Sequence, residues 1–210
     1  MLFLRYIKLK QAIDFFIACI GLLGFSPIIF LSALLVWLED SSASPLLKQE
    51  RIGLDEQPFM LFKLRTMSSE RFRDGRKLAD SERMLRSGRV FRKFSVDELP
   101  QLVNLIRGEM SLIGPRPMPI VYLPYFTPQE RVRHRVRPGM SGLAQVNGRN
   151  FLTWEQKFAF DVKYVENISF RLDINIFVKT IFRLVFPLDV GIRGESLSST
   201  SLHEEREPWS

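Results

Sequence analysis

The sequence predicts an α+β fold, mostly helical. It is embedded in a membrane through an N-terminal re-entrant helix broken at Ser26-Pro27, with interfacial amphipathic helices and one small β-hairpin. Three features predict it. An uncharged run from Phe15 to Leu38 carries a serine-proline pair at its middle. Two short runs, 46–53 and 59–67, flank a Gly/Asp/Glu/Pro break as the arms of a hairpin do. The last third repeats apolar residues at helical spacing. The chain divides into a membrane helix over 1–40, a domain with interfacial helices over 41–188, and a polar tail over 189–210 expected to be mobile.

The uncharged run covers 24 positions. As a straight helix that is roughly 36 Å, enough for a hydrocarbon core of about 30 Å. It is too long for a signal peptide, and no small-residue cleavage site follows it. Pro27 removes one backbone hydrogen bond, so a carbonyl in lipid needs another partner, and the Ser26 hydroxyl is the neighbouring candidate. Arg5, Lys8 and Lys10 hold the N-terminus in the cytoplasm, yet the chain after Leu47 is also rich in Lys and Arg. A helix that turns back at Ser26-Pro27 satisfies both flanks. A kinked single span is the alternative.

Of the 210 residues, 30 are Lys or Arg and 23 Asp or Glu, a net charge of +7. That excess suits an anionic membrane surface, a phosphorylated ligand or nucleic acid. Eighteen Phe residues beside many Arg favour the membrane interface. A single cysteine, Cys19, excludes a disulfide framework within the chain.

After the SSASP linker (41–45), FMLFKLRTM (59–67) alternates apolar and basic residues as a half-buried strand does. This places Lys63 and Arg65 on one face, with Arg51 just before the turn. Each of these bases has an alternative role as a solvated edge-strand charge. The charge-dense stretch 70–90 reads as a solvated loop with a short helix over Ser81–Leu85, capped by Ser81 and ended by Gly88.

Phe91 to Pro117, FRKFSVDELPQLVNLIRGEMSLIGPRP, is the chemical centre. Asp97 and Glu98 are adjacent carboxylates flanked by Arg92, Lys93 and Arg107, and Arg116 stands in a stiff Gly-Pro-Arg-Pro turn. Arg binds phosphate bidentately, and a carboxylate serves as nucleophile or metal ligand. The same residues also read as helix-capping groups. Ser95-x-x-Glu98 is a capping box, or Asp97 is itself the N-cap, ahead of a helix that runs to about Ile106 and stops at Gly108. Ser111 to Ile113 reads as a short strand.

The run Arg131–Arg137 is strongly basic, but only His134 is aromatic in it, so nucleic acid is not expected as a partner. His134 reads as a surface residue. RPGMSGLAQVNGRN (137–150) is a glycine-rich loop whose amides can approach an anion, with Arg149 as counter-charge. FLTWEQKFAFDVKYVEN (151–167) reads as an amphipathic helix with Trp154, Phe158 and Val162 on one side. INIFVKTIFRLVFPL (174–188) is too short and too charged to span; it reads as an interfacial helix, or as a core helix. His203 and Trp209 lie in the polar tail and are not expected at a site.

Four motifs together resemble the bacterial sugar transferases, the monotopic polyprenyl-phosphate phosphoglycosyl transferases. KQERIG (48–53), FKLRTM (62–67), VDELPQLVNLIRGEMSLIGPRP (96–117) and RPGMSGLAQVNGRN (137–150) stand in that family's order and spacing. The resemblance implies a re-entrant helix broken at a Ser-Pro pair and a catalytic Asp-Glu dyad at Asp97 and Glu98. It implies that Asp97 attacks the sugar-proximal phosphorus of a UDP-sugar donor, releasing UMP, and that polyprenyl (undecaprenyl) phosphate is the acceptor. Asp97 and Glu98 would position Mg²⁺. Lys63, Arg92, Arg116 and Arg149 match basic family positions and would hold phosphate; Asp161 matches an acidic one, and Arg51 falls in the first motif. The expected location is the inner membrane of a bacterium, with the catalytic domain at the cytoplasmic face in contact with membrane lipid. A homo-oligomer is left open. The sequence departs from the family pattern at Phe94, just before the dyad segment, and at Ile168, where a tryptophan is common.

Two other functions compete. A membrane-anchored basic binding protein would be indifferent to Asp97. Two-carboxylate glycoside hydrolysis needs carboxyls about 5 to 9 Å apart across a sugar, which adjacent carboxylates among arginines fit poorly.

Overall fold

The computed structural model describes residues 2–148, 151–185 and 201–209. Helix α1 runs from Leu2 to Glu39. Its apolar side chains are left uncovered around most of its girth: Phe16, Ile20, Leu23, Phe30 and Leu38 are each more than 60% exposed. A helix of a water-soluble domain would bury an apolar stripe; this one has the length and composition to cross or enter a bilayer. Ser26-Pro27 lies inside the helix and does not interrupt its secondary structure. Pro27 has no N–H for the Leu23 carbonyl, and the Ser26 hydroxyl donates to that carbonyl instead, at 2.9 Å.

Both halves of α1 touch the rest of the chain. In the first half, Lys10 pairs with Asp173 at 2.6 Å, and Asp14 accepts from the Ser111 hydroxyl at 2.5 Å. Gly21 lies against Leu102; a Cβ there would be 3.4 Å from its side chain. In the second half, Val36 is buried with Leu85 and Phe91. Glu39 accepts hydrogen bonds from the backbone N–H groups of Arg86 and Ser87, at 2.5 and 3.0 Å.

Strands β1 (Leu46–Ile52) and β2 (Pro58–Leu64) form the expected antiparallel hairpin. A second, two-residue hairpin pairs β3 (Phe72–Arg73) with β4 (Arg76–Lys77). Helices α2 (Asp80–Arg83) and α3 (Arg86–Lys93) follow. Gly88, expected to end a helix, lies inside α3 and is buried. The reason is close packing: a Cβ there would be 2.2 Å from the Thr66 carbonyl oxygen. A 3-10 turn over Val96–Gln101 leads into α4 (Leu102–Ile106), and Gly108 ends it with φ +72°.

Strand β5 (Ser111–Ile113) pairs in parallel with β6 (Gly139–Ser141). Parallel pairing needs a crossover connection, and that crossover carries Arg116 and two 3-10 turns, Ile120–Tyr125 and Glu130–Arg135. Helices α5 (Leu143–Asn147), α6 (Trp154–Glu166) and α7 (Phe170–Val185) complete the body. Thr153 caps α6 by accepting from the Gln156 N–H at 3.3 Å. On α7, Ile176 and Asp173 face inward, while Phe170, Ile174, Phe177, Val178, Ile181 and Phe182 are exposed. A core helix would bury those side chains, so α7 has the outward apolar face expected of an interfacial helix; residues 186–188 lie outside the described residues.

Part of the polar tail is docked, not detached. In α8 (Leu202–Glu205), Leu202 is fully buried with Ile52, Tyr122, Trp154 and Phe158. Arg206 pairs with Glu130 at 2.9 Å and Glu155 at 2.6 Å. The Trp209 N–H also donates to the Pro124 carbonyl at 2.7 Å.

Asn104 is fully buried and joins α4 to β2. Its amide donates to the Met60 carbonyl and to Glu109, both at 2.7 Å, and its oxygen accepts from the Phe62 N–H at 3.1 Å. Asn104→Ala leaves these groups without their partner and is expected to cost about 2–4 kcal/mol. Thermal unfolding of the detergent-purified protein should show the lower Tm, and an unchanged Tm would refute the tie.

Candidate active site

The site forms where the β1–β2 hairpin, the 3-10 turn at Val96–Gln101 and the crossover after β5 meet. Register Leu47↔Lys63, Gln49↔Leu61 and Arg51↔Phe59 puts Gln49, Arg51 and Lys63 on one pleat face. Arg51 donates to Gln49 at 2.6 Å. Lys63 and Arg65, expected on one face, part in role. Arg65 lies beyond the strand end, buried, and pairs with Asp40 at 2.5 Å.

The dyad enters by a sharp backbone change. Ser95 has φ 56° and ψ 24°, in the left-handed region, between α3 and the 3-10 turn. Its hydroxyl makes no capping bond, so the capping box is not how Glu98 is used. Asp97 is 7% exposed. Glu98 accepts from Arg116 Nη2 at 2.6 Å. Arg92 reaches back across α3, its Nε donating to the Thr66 hydroxyl at 2.9 Å.

Electrostatics tie these groups together. Burial, opposed by Asp97 and joined by Arg92, Arg116 and Arg51, lowers the Lys63 pKa to about 8. Burial raises the Asp97 pKa, the neighbouring Glu98 raises it more, and Lys63, Arg92 and Arg116 act against both. Three expected cations, Lys63, Arg92 and Arg116, thus act on Asp97, and Arg51 acts on Lys63. The surplus positive charge suits an incoming group with two phosphates.

One expected residue is not in this group. Asp161 is buried on α6 and pairs with Arg133 at 2.8 Å. It reaches the site only indirectly, since Arg133 also donates to the Arg116 carbonyl at 2.7 Å. Arg149 lies outside the described residues. His134, expected at the surface, is 5% exposed and packs edge-on against Phe126 at 5.0 Å between ring centroids. Burial, with Arg133 and Arg131 beside it, lowers its pKa to about 3, so it is neutral at physiological pH. His203 packs against Tyr122 and Tyr125, away from the dyad, and Trp209 is exposed.

Sequence reasoning assigned no role to Gln49, Thr66 or Arg133. Gln49 and Thr66 stand in segments whose strand alternation was readable. Arg133 was hidden in a basic run, where spacing does not separate a buried guanidinium from a solvated one.

Because its folded pKa is raised, ionised Asp97 costs stability at neutral pH; the cost disappears below its unfolded pKa and grows as pH rises through the folded one. Asp97→Asn removes that cost. It is expected to raise the Tm at pH 7 while abolishing turnover, and a lower Tm in parallel melts would contradict the electrostatic account.

The family model described as "Bacterial sugar transferase" matches residues 5–187. The chain is 45% identical over 177 residues to "Uncharacterized sugar transferase EpsL" of Bacillus subtilis (strain 168), covering 84% of this chain and 87% of the relative. It is 38% identical over 184 residues to "UDP-glucose:undecaprenyl-phosphate glucose-1-phosphate transferase" of Caulobacter vibrioides, covering 82% of this chain and 68% of the relative. It is 36% identical over 184 residues to "UDP-N-acetylgalactosamine-undecaprenyl-phosphate N-acetylgalactosaminephosphotransferase" of Aeromonas hydrophila, covering 84% of this chain and 43% of the relative. With a family model matched over most of its length, the chain belongs to the bacterial sugar transferase family.

Proposed function

We propose that the protein moves a sugar-1-phosphate from a UDP-sugar to polyprenyl phosphate through a covalent intermediate on Asp97. The observation that carries this is Asp97 itself: a buried carboxylate beside Glu98, ringed by Lys63, Arg92 and Arg116. An Asp97 oxygen attacks the sugar-proximal phosphorus. The phosphorus–oxygen bond to the uridine-bearing phosphate breaks, and UMP leaves with that electron pair. An oxygen of polyprenyl phosphate then attacks the same phosphorus, releasing polyprenyl-diphospho-sugar and restoring the Asp97 carboxylate. Removal from water makes the Asp97 carboxylate a better nucleophile, and the cations steady the phosphate oxygens. Arg116 fixes Glu98 next to the reacting centre. The names of the relatives cover two different sugars, and the sugar here is left to experiment.

Mg²⁺ fits this donor set. Adjacent carboxylates are hard oxygen ligands, and Mg²⁺ takes one or two of them together with phosphate oxygens and water. Asp97 and Glu98 would hold it, and it would neutralise charge on the leaving phosphate.

The membrane part of the reading is a re-entrant α1, with the site on the cytoplasmic face of a bacterial inner membrane. It is supported by contacts at both ends of the helix: Lys10 and Asp14 on one side of Pro27, Val36 and Glu39 on the other, all against the same body. The apolar face of α7 would lie in the same interface. A soluble donor then meets a lipid acceptor without drawing the prenyl chain into water.

Incubating the purified protein with Mg²⁺ and a panel of UDP-sugars, without acceptor, should give a phosphosugar adduct by intact mass. The adduct should be absent from Asp97→Asn and from EDTA-treated protein. UMP release that needs acceptor and leaves no adduct would argue for direct transfer. For topology, single cysteines at Lys8 and Ser42 in a Cys19→Ser background should both be labelled from the cytoplasmic side in oriented vesicles. Labelling from opposite sides would establish a single span.

A further inference from the structure

We propose that Arg133 is the positioning residue for Arg116: its guanidinium holds the backbone of the Pro115-Arg116-Pro117 turn so that the Arg116 side chain meets Glu98. The inference deepens the reading above and rests on it. The Arg116 side chain is 46% exposed, so packing alone does not aim it. Its direction depends on how the backbone is held.

The turn is held at both ends. On the entry side, the Gly114 N–H donates to the Ser141 carbonyl at 2.8 Å, and the Gly139 N–H to the Pro115 carbonyl at 2.9 Å. Gly114 and Gly139 pass so closely that a Cβ on Gly139 would be 2.1 Å from the Gly114 nitrogen. On the exit side, Pro117 offers no N–H; Arg133 Nη2 donates to the Arg116 carbonyl itself at 2.7 Å, and the next backbone tie is the Ile52 N–H to the Met118 carbonyl at 2.9 Å.

Arg133 is itself fixed on every edge. Nε and Nη2 donate to one oxygen of Asp161 at 3.0 and 2.8 Å. Nη1 lies 3.3 Å from Nε2 of His134, which accepts because the ring is neutral. The rings of Phe126 and Phe158 lie 5.4 and 5.5 Å from the guanidinium carbon. The side chain is 1% exposed. A lysine has one nitrogen on a flexible stem and cannot serve Asp161 and the Arg116 carbonyl from one rigid fork.

The test is a double-mutant cycle on the full chain in nanodiscs, with Mg²⁺, the UDP-sugar that forms the adduct, and polyprenyl phosphate. Arg133→Lys is expected to lower kcat roughly 10- to 100-fold, the scale of a small misplacement at a reacting centre, with KM for the donor changed far less. In an Arg116→Ala background the same substitution should change kcat by no more than about twofold, since nothing is left to aim. Should Arg133→Lys not fold, Arg133→Met with Asp161→Leu removes the tie while refilling the core with apolar side chains, and the same cycle applies. Equal losses of kcat in both backgrounds, in a preparation whose wild type turns over, would overturn the positioning role alone. A wild type that turns over no UDP-sugar would overturn the proposed function and this inference together.

Discussion

A carboxylate taken out of water next to a second carboxylate is unfavourable, and the architecture around Asp97 exists to hold one there. Desolvation and Glu98 both work against its charge. The compensation comes from cations on three separate elements: Lys63 on the hairpin, Arg92 on α3 and Arg116 on the crossover between β5 and β6. None is adjacent to Asp97 in sequence. The parallel β5–β6 pair, the hairpin register and the packing of α3 on the hairpin's end are what bring them together. Site and fold are therefore one construction: loosening any of the three elements would leave a buried anion short of its partners.

The membrane helix belongs to the same construction. Two of its charged residues, Lys10 and Asp14, are turned to the protein, whereas Arg5 and Lys8 near its start are exposed. Lys10 and Asp14 are buried against Asp173 and Ser111, and Glu39 caps the start of α3, the helix that ends just before the dyad. A carboxylate at a helix N-terminus satisfies free N–H groups and complements the helix dipole. The anchor thus reaches the site through α3, while its uncovered apolar side chains are left for the bilayer. Turning Lys10 and Asp14 to the protein is the arrangement that an apolar surrounding permits at least cost.

Behind the cations lies a supporting layer of buried side chains. Thr66 receives Arg92, and its carbonyl lies against Gly88, where only a glycine fits. Arg133, with Asp161 and two phenylalanine rings, carries the backbone of Arg116. The docked end of the chain contributes to the same wall, since Leu202 fills the cluster that holds Phe126 and Phe158. Stiffness of this kind is what a phosphoryl-transfer site needs, because its chemistry is chiefly positioning and charge.

Periodicity and composition were sufficient for the membrane helix, the β-hairpin, α4 and α6, because each follows from local pattern: an uncharged run, alternation across a turn, apolar spacing of 3.6. They were also sufficient to single out Asp97 and Glu98, since two adjacent carboxylates among arginines are visible without a fold. Only the tertiary structure separated the arginines. Arg116 points to the dyad, whereas Arg65 and Arg133 are buried in ion pairs with Asp40 and Asp161. Likewise Gly88 reads as a stop signal but serves a close crossing, His134 reads as surface but is core, and Leu202 docks a tail that composition marks as mobile. The physical reason is the same throughout. A residue's conformational preference is local and so is written in its neighbours, whereas its partner and its burial depend on chain segments tens of residues away.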